Sequence, residues 1–156
     1  MKKINLKLFV TCLIIVYAVA GIGSFFTSKN TSSTWYESIK PSITPPNYVF
    51  PIVWSILFFL IALSLYFTWN DAKNRKTKEK IKWIFGINFA LNIFWSAFYF
   101  GMKNPVLAYY DLIALWASIC IMILFTSNIN RKASYLLIPY LIWVAFAGIL
   151  NYLSAF

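Results

Sequence analysis

The sequence predicts an all-α membrane protein, a single domain (1–156) built as a bundle of five transmembrane helices. Three observations carry that expectation. Hydrophobic side chains make up 61% of the 156 residues and the mean hydropathy is +0.70, whereas a soluble domain is about 45 to 50% apolar. Charged residues amount to only 12%, and they fall between long uncharged runs rather than across them. Those runs are about 20 residues long, the length a helix needs to cross about 30 Å of hydrocarbon.

The first span covers about 8–27. Met1-Lys2-Lys3 before an apolar stretch has the look of a secretory signal, but the uncharged run from Leu8 to Ser28 is 21 residues long and no cleavage-like pattern follows it. Ala18, Ala20, Gly21, Gly23 and Ser24 give the second half of this span a slim profile that lets another helix approach closely. A polar turn at 29–34 leads into a stretch that is neither flexible nor hydrophilic. Pro41, Pro45, Pro46 and Pro51 restrict φ and remove backbone donors, so 41–51 is expected to be stiff and extended, with a helix starting only near its end. Trp35, Tyr36, Tyr48 and Trp54 surround those prolines. Two readings fit: a rigid aromatic lid (28–47) over a cavity, or an interfacial aromatic belt with prolines that stop and start helices.

The second span covers about 48–69, with Pro51 tolerated in its first turn. A solvated basic loop at 70–82 follows, carrying Lys73, Arg75, Lys76, Lys78, Lys80 and Lys82 against Asp71 and Glu79. In the third span, about 83–102, a rotation of 100° per residue puts Asn88, Asn92, Trp95 and Tyr99 on one face and Gly86, Ala90, Ala97 and Gly101 on the other. The small-residue face is a seam for a helix of the same chain or of a second copy. The fourth span, about 105–128, holds Asp111, the one acid inside an apolar segment. The fifth, about 133–155, has Pro139 in its second turn, Trp143 and Ala147 on one side, and Asn151 near its end.

Charge fixes an expected orientation. Lys2, Lys3, Lys7, the six cations of the 70–82 loop, Arg131 and Lys132 fall on one side, and Lys29, Lys40 and Lys103 on the other. The positive-inside rule then makes the N-terminus cytoplasmic and places the proline-rich stretch and the C-terminus outside. The net charge of +10 sits at helix ends, where it suits anionic lipid headgroups rather than nucleic acid.

Catalytic constellations are missing from the sequence. Histidine is absent, Cys12 and Cys120 lie far apart in apolar runs and read as free thiols, and no metal set, carboxylate pair or phosphate loop exists. Asp111 either couples protons to transport or bonds neighbouring amide and hydroxyl groups. Trp54, Phe58, Asn88, Asn92, Trp95, Trp143 and Ala147 remain. If their faces converge they line a pocket for a large, flat, hydrophobic ligand; otherwise the tryptophans fill the bundle core.

Trp35-Tyr36 through Lys40-Pro41 and Thr44-Pro45-Pro46 to Val53-Trp54, then Asn92, Trp95 and Phe98, then Pro139-Tyr140, Trp143, Phe146-Ala147 and Leu150-Asn151 form a series spread across the spans. This series resembles the TspO family of tryptophan-rich sensory proteins, relatives of the mitochondrial translocator protein or peripheral benzodiazepine receptor. The resemblance implies a five-helix bundle in the bacterial cell membrane that needs no cofactor and binds protoporphyrin and similar flat molecules beneath its first loop. It implies a homodimer, here through the third span. It also implies pocket walls from the loop, at Trp35, Tyr36 and Pro45, and from Trp54 and Trp143. Those two tryptophans are implicated in light- and oxygen-dependent porphyrin breakdown, and transport of tetrapyrroles or other lipophiles is the alternative. Two departures stand out: Ile43 occupies a position where the family often has tryptophan, and no basic residue follows Tyr152, so the cholesterol motif is incomplete. With no histidine, and no cysteine or methionine among the pocket candidates, metal-free protoporphyrin is expected to bind more tightly than an axially ligated haem.

Overall fold

A computed structural model describes residues 5–156; Lys2 and Lys3 of the charge count lie outside the described residues. The elements are α1 (Leu6–Thr27), α2 (Thr34–Ile39), α3 (Val49–Asp71), α4 (Arg75–Ser96) with a π-helical turn (Ala97–Gly101), α5 (Pro105–Ser127), α6 (Arg131–Tyr135) and α7 (Ile138–Ala155), with no strand among the described residues. Five stretches are long and apolar enough to cross a membrane: α1, α3, α4 with its π turn, α5, and α6 with α7. The chain is therefore the all-α, five-span bundle that the uncharged runs predict.

Asparagine starts four of the helices. The side chains of Asn5, Asn74, Asn104 and Asn130 accept from the backbone N–H groups of Leu8, Thr77, Leu107 and Ala133 at 3.1, 2.8, 3.0 and 3.0 Å. Each satisfies an otherwise orphaned donor, a contribution of about 1 kcal/mol. The spans form a ring in the order α3, α1, α4, α5, α7, and α7 returns against α3. Val16, Ile61, Ile81, Phe85, Ile119, Met122, Leu137 and Val144 are fully buried, which makes the half of the bundle nearer the basic end a solid core. Large apolar residues such as Ile14, Phe25, Ile56, Leu124 and Ile142 point outward, as a hydrocarbon solvent requires.

The connections differ from expectation in four places. Most of the basic loop expected at 70–82 is helix, because Asn74 caps a turn from Arg75 onward and Lys82 pairs with Glu79 at 2.9 Å. The stretch before the prolines folds into α2, started by Ser33 accepting from Tyr36 N–H. Residues 41–51 are not extended throughout: a turn links Thr44 N–H to Pro41 O, and α3 starts at Val49. The fifth span is broken at 136–137, so Pro139 falls in the first turn of α7, where it displaces no helical hydrogen bond.

Candidate functional site: a lidded aromatic cavity

Opposite the basic end the ring does not close on itself, and a cavity of about 430 Å³ lies inside it. From α3, Phe50, Trp54 and Phe58 recur every four residues and all face inward. Trp54 stacks on Phe58 with ring centroids 5.3 Å apart and meets Tyr140 edge-on at 6.1 Å. From α4, Asn92, Trp95, Ser96 and Tyr99 line the facing wall. The Trp95 indole stacks on Tyr99 at 5.3 Å and donates through Nε1 to Asn151 Oδ1 at 2.9 Å, while Asn151 Nδ2 donates to Pro105 O at 2.8 Å. The Tyr99 hydroxyl donates to Ser154 Oγ at 3.0 Å. These bonds tie α4, α5 and α7 together at cavity depth and fix the planes of two aromatic walls.

The π turn completes that wall. Met102 N–H reaches back five residues to Ala97 O at 2.8 Å, and the extra residue turns the consecutive Tyr99 and Phe100 both inward, 4% and 6% exposed. Wide single turns of this kind are frequent at functional sites. On the other side α1 contributes only small residues, Ala20, Gly23, Ser24 and Thr27, which is where the slim half of the first span is used.

Tyr36, Pro41, Thr44 and Asn47 form the roof. Tyr36, 6% exposed, rests on Tyr99 and Phe100 at 6.4 and 5.5 Å. Burial, aided by Tyr99 and Glu37, pushes its hydroxyl up to a pKa of about 12. Trp35 lies edge-on to Tyr99 at 5.9 Å with the Lys103 ammonium 6.0 Å from its ring centre. The 28–47 stretch is thus a roof seated on α4 by aromatic packing. Among the described residues no charged side chain lines the cavity, so its interior offers apolar groups with a few amides and hydroxyls.

Of the residues singled out in the sequence, Tyr36, Trp54, Phe58, Asn92, Trp95 and Ala147 line this space. Trp35, Pro45, Asn88 and Trp143 do not. Trp35 braces the outside of the roof, and Pro41 and Thr44 rather than Pro45 form its underside. Asn88, one turn below Asn92, is fully buried; it donates to Ser118 Oγ at 2.8 Å and accepts from the Tyr140 hydroxyl at 3.3 Å. Trp143 packs behind Phe50 at 5.9 Å and against Phe146 at 5.6 Å. Asp111 is also outside the lining; its Oδ2 is buried without a hydrogen-bond partner. The seam on α4 splits: Gly86 faces open space, whereas a Cβ on Gly101 would stand 3.0 Å from Phe26 of α1.

Gly23, Ser96, Phe100, Leu150 and Asn151 line the cavity without having been picked out as site residues. Asn151 is one turn on from Ala147, so helical spacing carried its signal. Phe100 comes inward only because of the π turn.

Fold and site together define an integral membrane protein of five helices that encloses a roofed, aromatic, uncharged cavity at one end. The chain matches the TspO/MBR family over residues 11–155 and belongs to it. It is 37% identical over 149 residues to the tryptophan-rich protein TspO of Archaeoglobus fulgidus, covering 95% of each chain. With its namesake in Bacillus cereus the identity is 39% over 121 residues, covering 76% of this chain and 77% of the other. The translocator protein of Bos taurus is 27% identical over 136 residues, covering 84% and 80%.

Proposed function

We propose that this protein binds a planar, hydrophobic tetrapyrrole, protoporphyrin or a close analogue, in the cavity beneath the 28–47 roof. One observation carries the reading: a space of about 430 Å³ lined by the aromatic side chains Trp54, Trp95, Tyr99 and Phe100. That volume lies within the range of about 300 to 1,000 Å³ common for small-molecule pockets. Aromatic walls favour a flat, apolar guest, and Asn92, Ser96 and Thr44 supply hydrogen-bonding groups that orient it. The lining contains no histidine, cysteine or methionine, and of its two tyrosines Tyr99 already donates to Ser154 and Tyr36 is held protonated by burial, so affinity comes from stacking rather than from axial ligation. The test is titration of the purified protein with protoporphyrin, read by quenching of tryptophan fluorescence. Saturable quenching, stronger than with haem, supports the reading; linear, unsaturable quenching removes it.

Within this reading Trp54, like Trp95, contacts the guest. Trp143 sits one ring further out, behind Phe50, and takes part in any photochemical breakdown as a relay. A second function, transfer of the guest across the bilayer, draws its support from Asp111, an acid inside a span with one carboxylate oxygen buried and unpartnered. Flux into sealed proteoliposomes separates the two, since a receptor binds without transfer. The orientation we propose has the N-terminus cytoplasmic and the roof outside, in the bacterial cell membrane. We also propose a homodimer through the open lower half of the α4 seam, at Gly86 and Ala90.

A further inference from the structure

The cavity has one weak side. Most of its lining residues are buried or half-buried, and the four that are exposed are Ser24 of α1, Ser28 just after it, Asn47 just before α3, and Pro51 in the first turn of α3. No lining residue of α4 or α7 is exposed. The cavity therefore reaches the surface along the seam between α1 and α3.

Two hydrogen bonds frame this opening. At the top, Asn47 Nδ2 donates to Thr31 O at 3.2 Å, tying the two ends of the roof together. Further down, the Tyr17 hydroxyl donates to Ser55 O at 3.1 Å, clamping α1 to α3. Between them α1 presents Ala20, Gly21 and Ser24 on the stripe that Tyr17 continues, and a Cβ on Gly21 would meet nothing within 4 Å. At about 1.5 Å per residue, Tyr17 lies about 15 Å below the end of α1, near the mid-depth of a bilayer. The opening is a slot at the roof-side end of this seam, exposed at Ser28 and Ser24 on one side and at Asn47 and Pro51 on the other, and the small-residue stripe continues below it towards Tyr17.

We infer that this slot is the route by which the guest passes between lipid and cavity, moving edge-on through the α1–α3 seam, with the Asn47–Thr31 bond as its latch. This rests on the cavity being the guest's site. A planar, apolar molecule partitions into lipid before it meets the protein, and a narrow slot beside small residues admits a plane while holding back branched lipid chains. Away from Ser28 and Asn47 the roof is closed, and admission from water there would need Tyr36 to leave its seat on Tyr99 and Phe100. Opening the slot needs one exposed hydrogen bond to break.

Kinetics test the route. In vesicles of neutral phosphatidylcholine, protoporphyrin added to the lipid is followed by stopped-flow tryptophan quenching. Gly21→Leu narrows the slot without touching the cavity lining. It is expected to slow association and dissociation by the same factor, about tenfold, leaving Kd unchanged. Asn47→Ala is expected to speed both steps. Ala117→Leu, which places the same side chain on the exposed face of α5, changes neither. Unaltered rates in Gly21→Leu and Asn47→Ala overturn the slot while leaving the binding site intact.

A reading without porphyrin keeps the two claims separate. Ser24→Cys, in a chain with Cys12→Ala and Cys120→Ala, is labelled with a bimane fluorophore. Quenching by a nitroxide on the lipid chain and protection from aqueous iodide support an opening to lipid. Quenching by iodide alone overturns it, whatever the outcome of the porphyrin titration.

Discussion

Asn151→Leu tests the bonding that sets the aromatic walls. Asn151 is 1% exposed; it accepts from Trp95 Nε1 at 2.9 Å and donates to Pro105 O at 2.8 Å. Leucine has the same number of side-chain heavy atoms and the same branching at Cγ, so the change removes both bonds without opening a void. A hydrogen bond between transmembrane helices contributes about 0.6 kcal/mol on average, but a buried group left unpaired costs about 1 to 3 kcal/mol. Pro105 O, at the first turn of α5, loses its side-chain donor, and the Trp95 indole N–H is left facing an apolar group. The expected loss of stability is about 1 to 3 kcal/mol, from the indole N–H alone, because Pro105 O still accepts a backbone bond within α5. The expected loss of protoporphyrin affinity is about tenfold, because the Trp95 ring is no longer held parallel to Tyr99. Denaturant unfolding in detergent reads the first and the quenching titration the second. A double-mutant cycle with Trp95→Phe should show the two changes to be coupled rather than additive. Additive changes, or full affinity in Asn151→Leu, would refute the claim that this bond orients the wall.

Three further predictions follow from the same geometry. Trp54→Phe should reduce light-dependent loss of bound protoporphyrin more than Trp143→Phe does, measured by absorbance under illumination, since Trp54 lines the cavity and Trp143 does not; equal effects would contradict that placement. Tyr36 has its pKa raised from the usual value near 10 to about 12, so the folded state holds that proton more firmly than the unfolded chain does. Its contribution to stability is complete below about pH 10 and declines as pH rises towards 12, and Tyr36→Phe should flatten that part of the stability curve. Ala90→Leu, on the open half of the α4 seam, should convert a detergent-solubilised dimer to monomer in a mass measurement; an unchanged dimer would point to another face.

What was legible in the sequence follows from what a bilayer demands. A span must be apolar along its length, so the uncharged runs marked every crossing helix, and the in-facing stripe Asn92, Trp95 and Tyr99 emerged from a fixed rotation per residue. Helix ends were harder to place, because polar residues belong equally to a loop and to a helix that projects beyond the hydrocarbon. The Arg75–Lys82 stretch is the second kind. Depth along a stripe was the other gap. Asn88 and Asn92 share a face, yet one turn separates a core amide from a cavity amide, and the same turn separates Trp143 from Ala147. The π turn at Ala97–Gly101 left no signal, and with it went Phe100. Gly101 read as part of a seam for a helix of the same chain or of a second copy, and at Gly101 the occupant is Phe26 of α1.

The central claim is that the space under the roof is where the guest sits, and filling that space tests it most directly. Ala147 lines the cavity from α7, and phenylalanine there projects into the void between the aromatic walls. The measurement is protoporphyrin quenching of Ala147→Phe beside the unaltered chain, with thermal unfolding to show that both are folded. The account predicts a stable protein that no longer quenches saturably. A folded Ala147→Phe protein that still binds with unchanged affinity would contradict it.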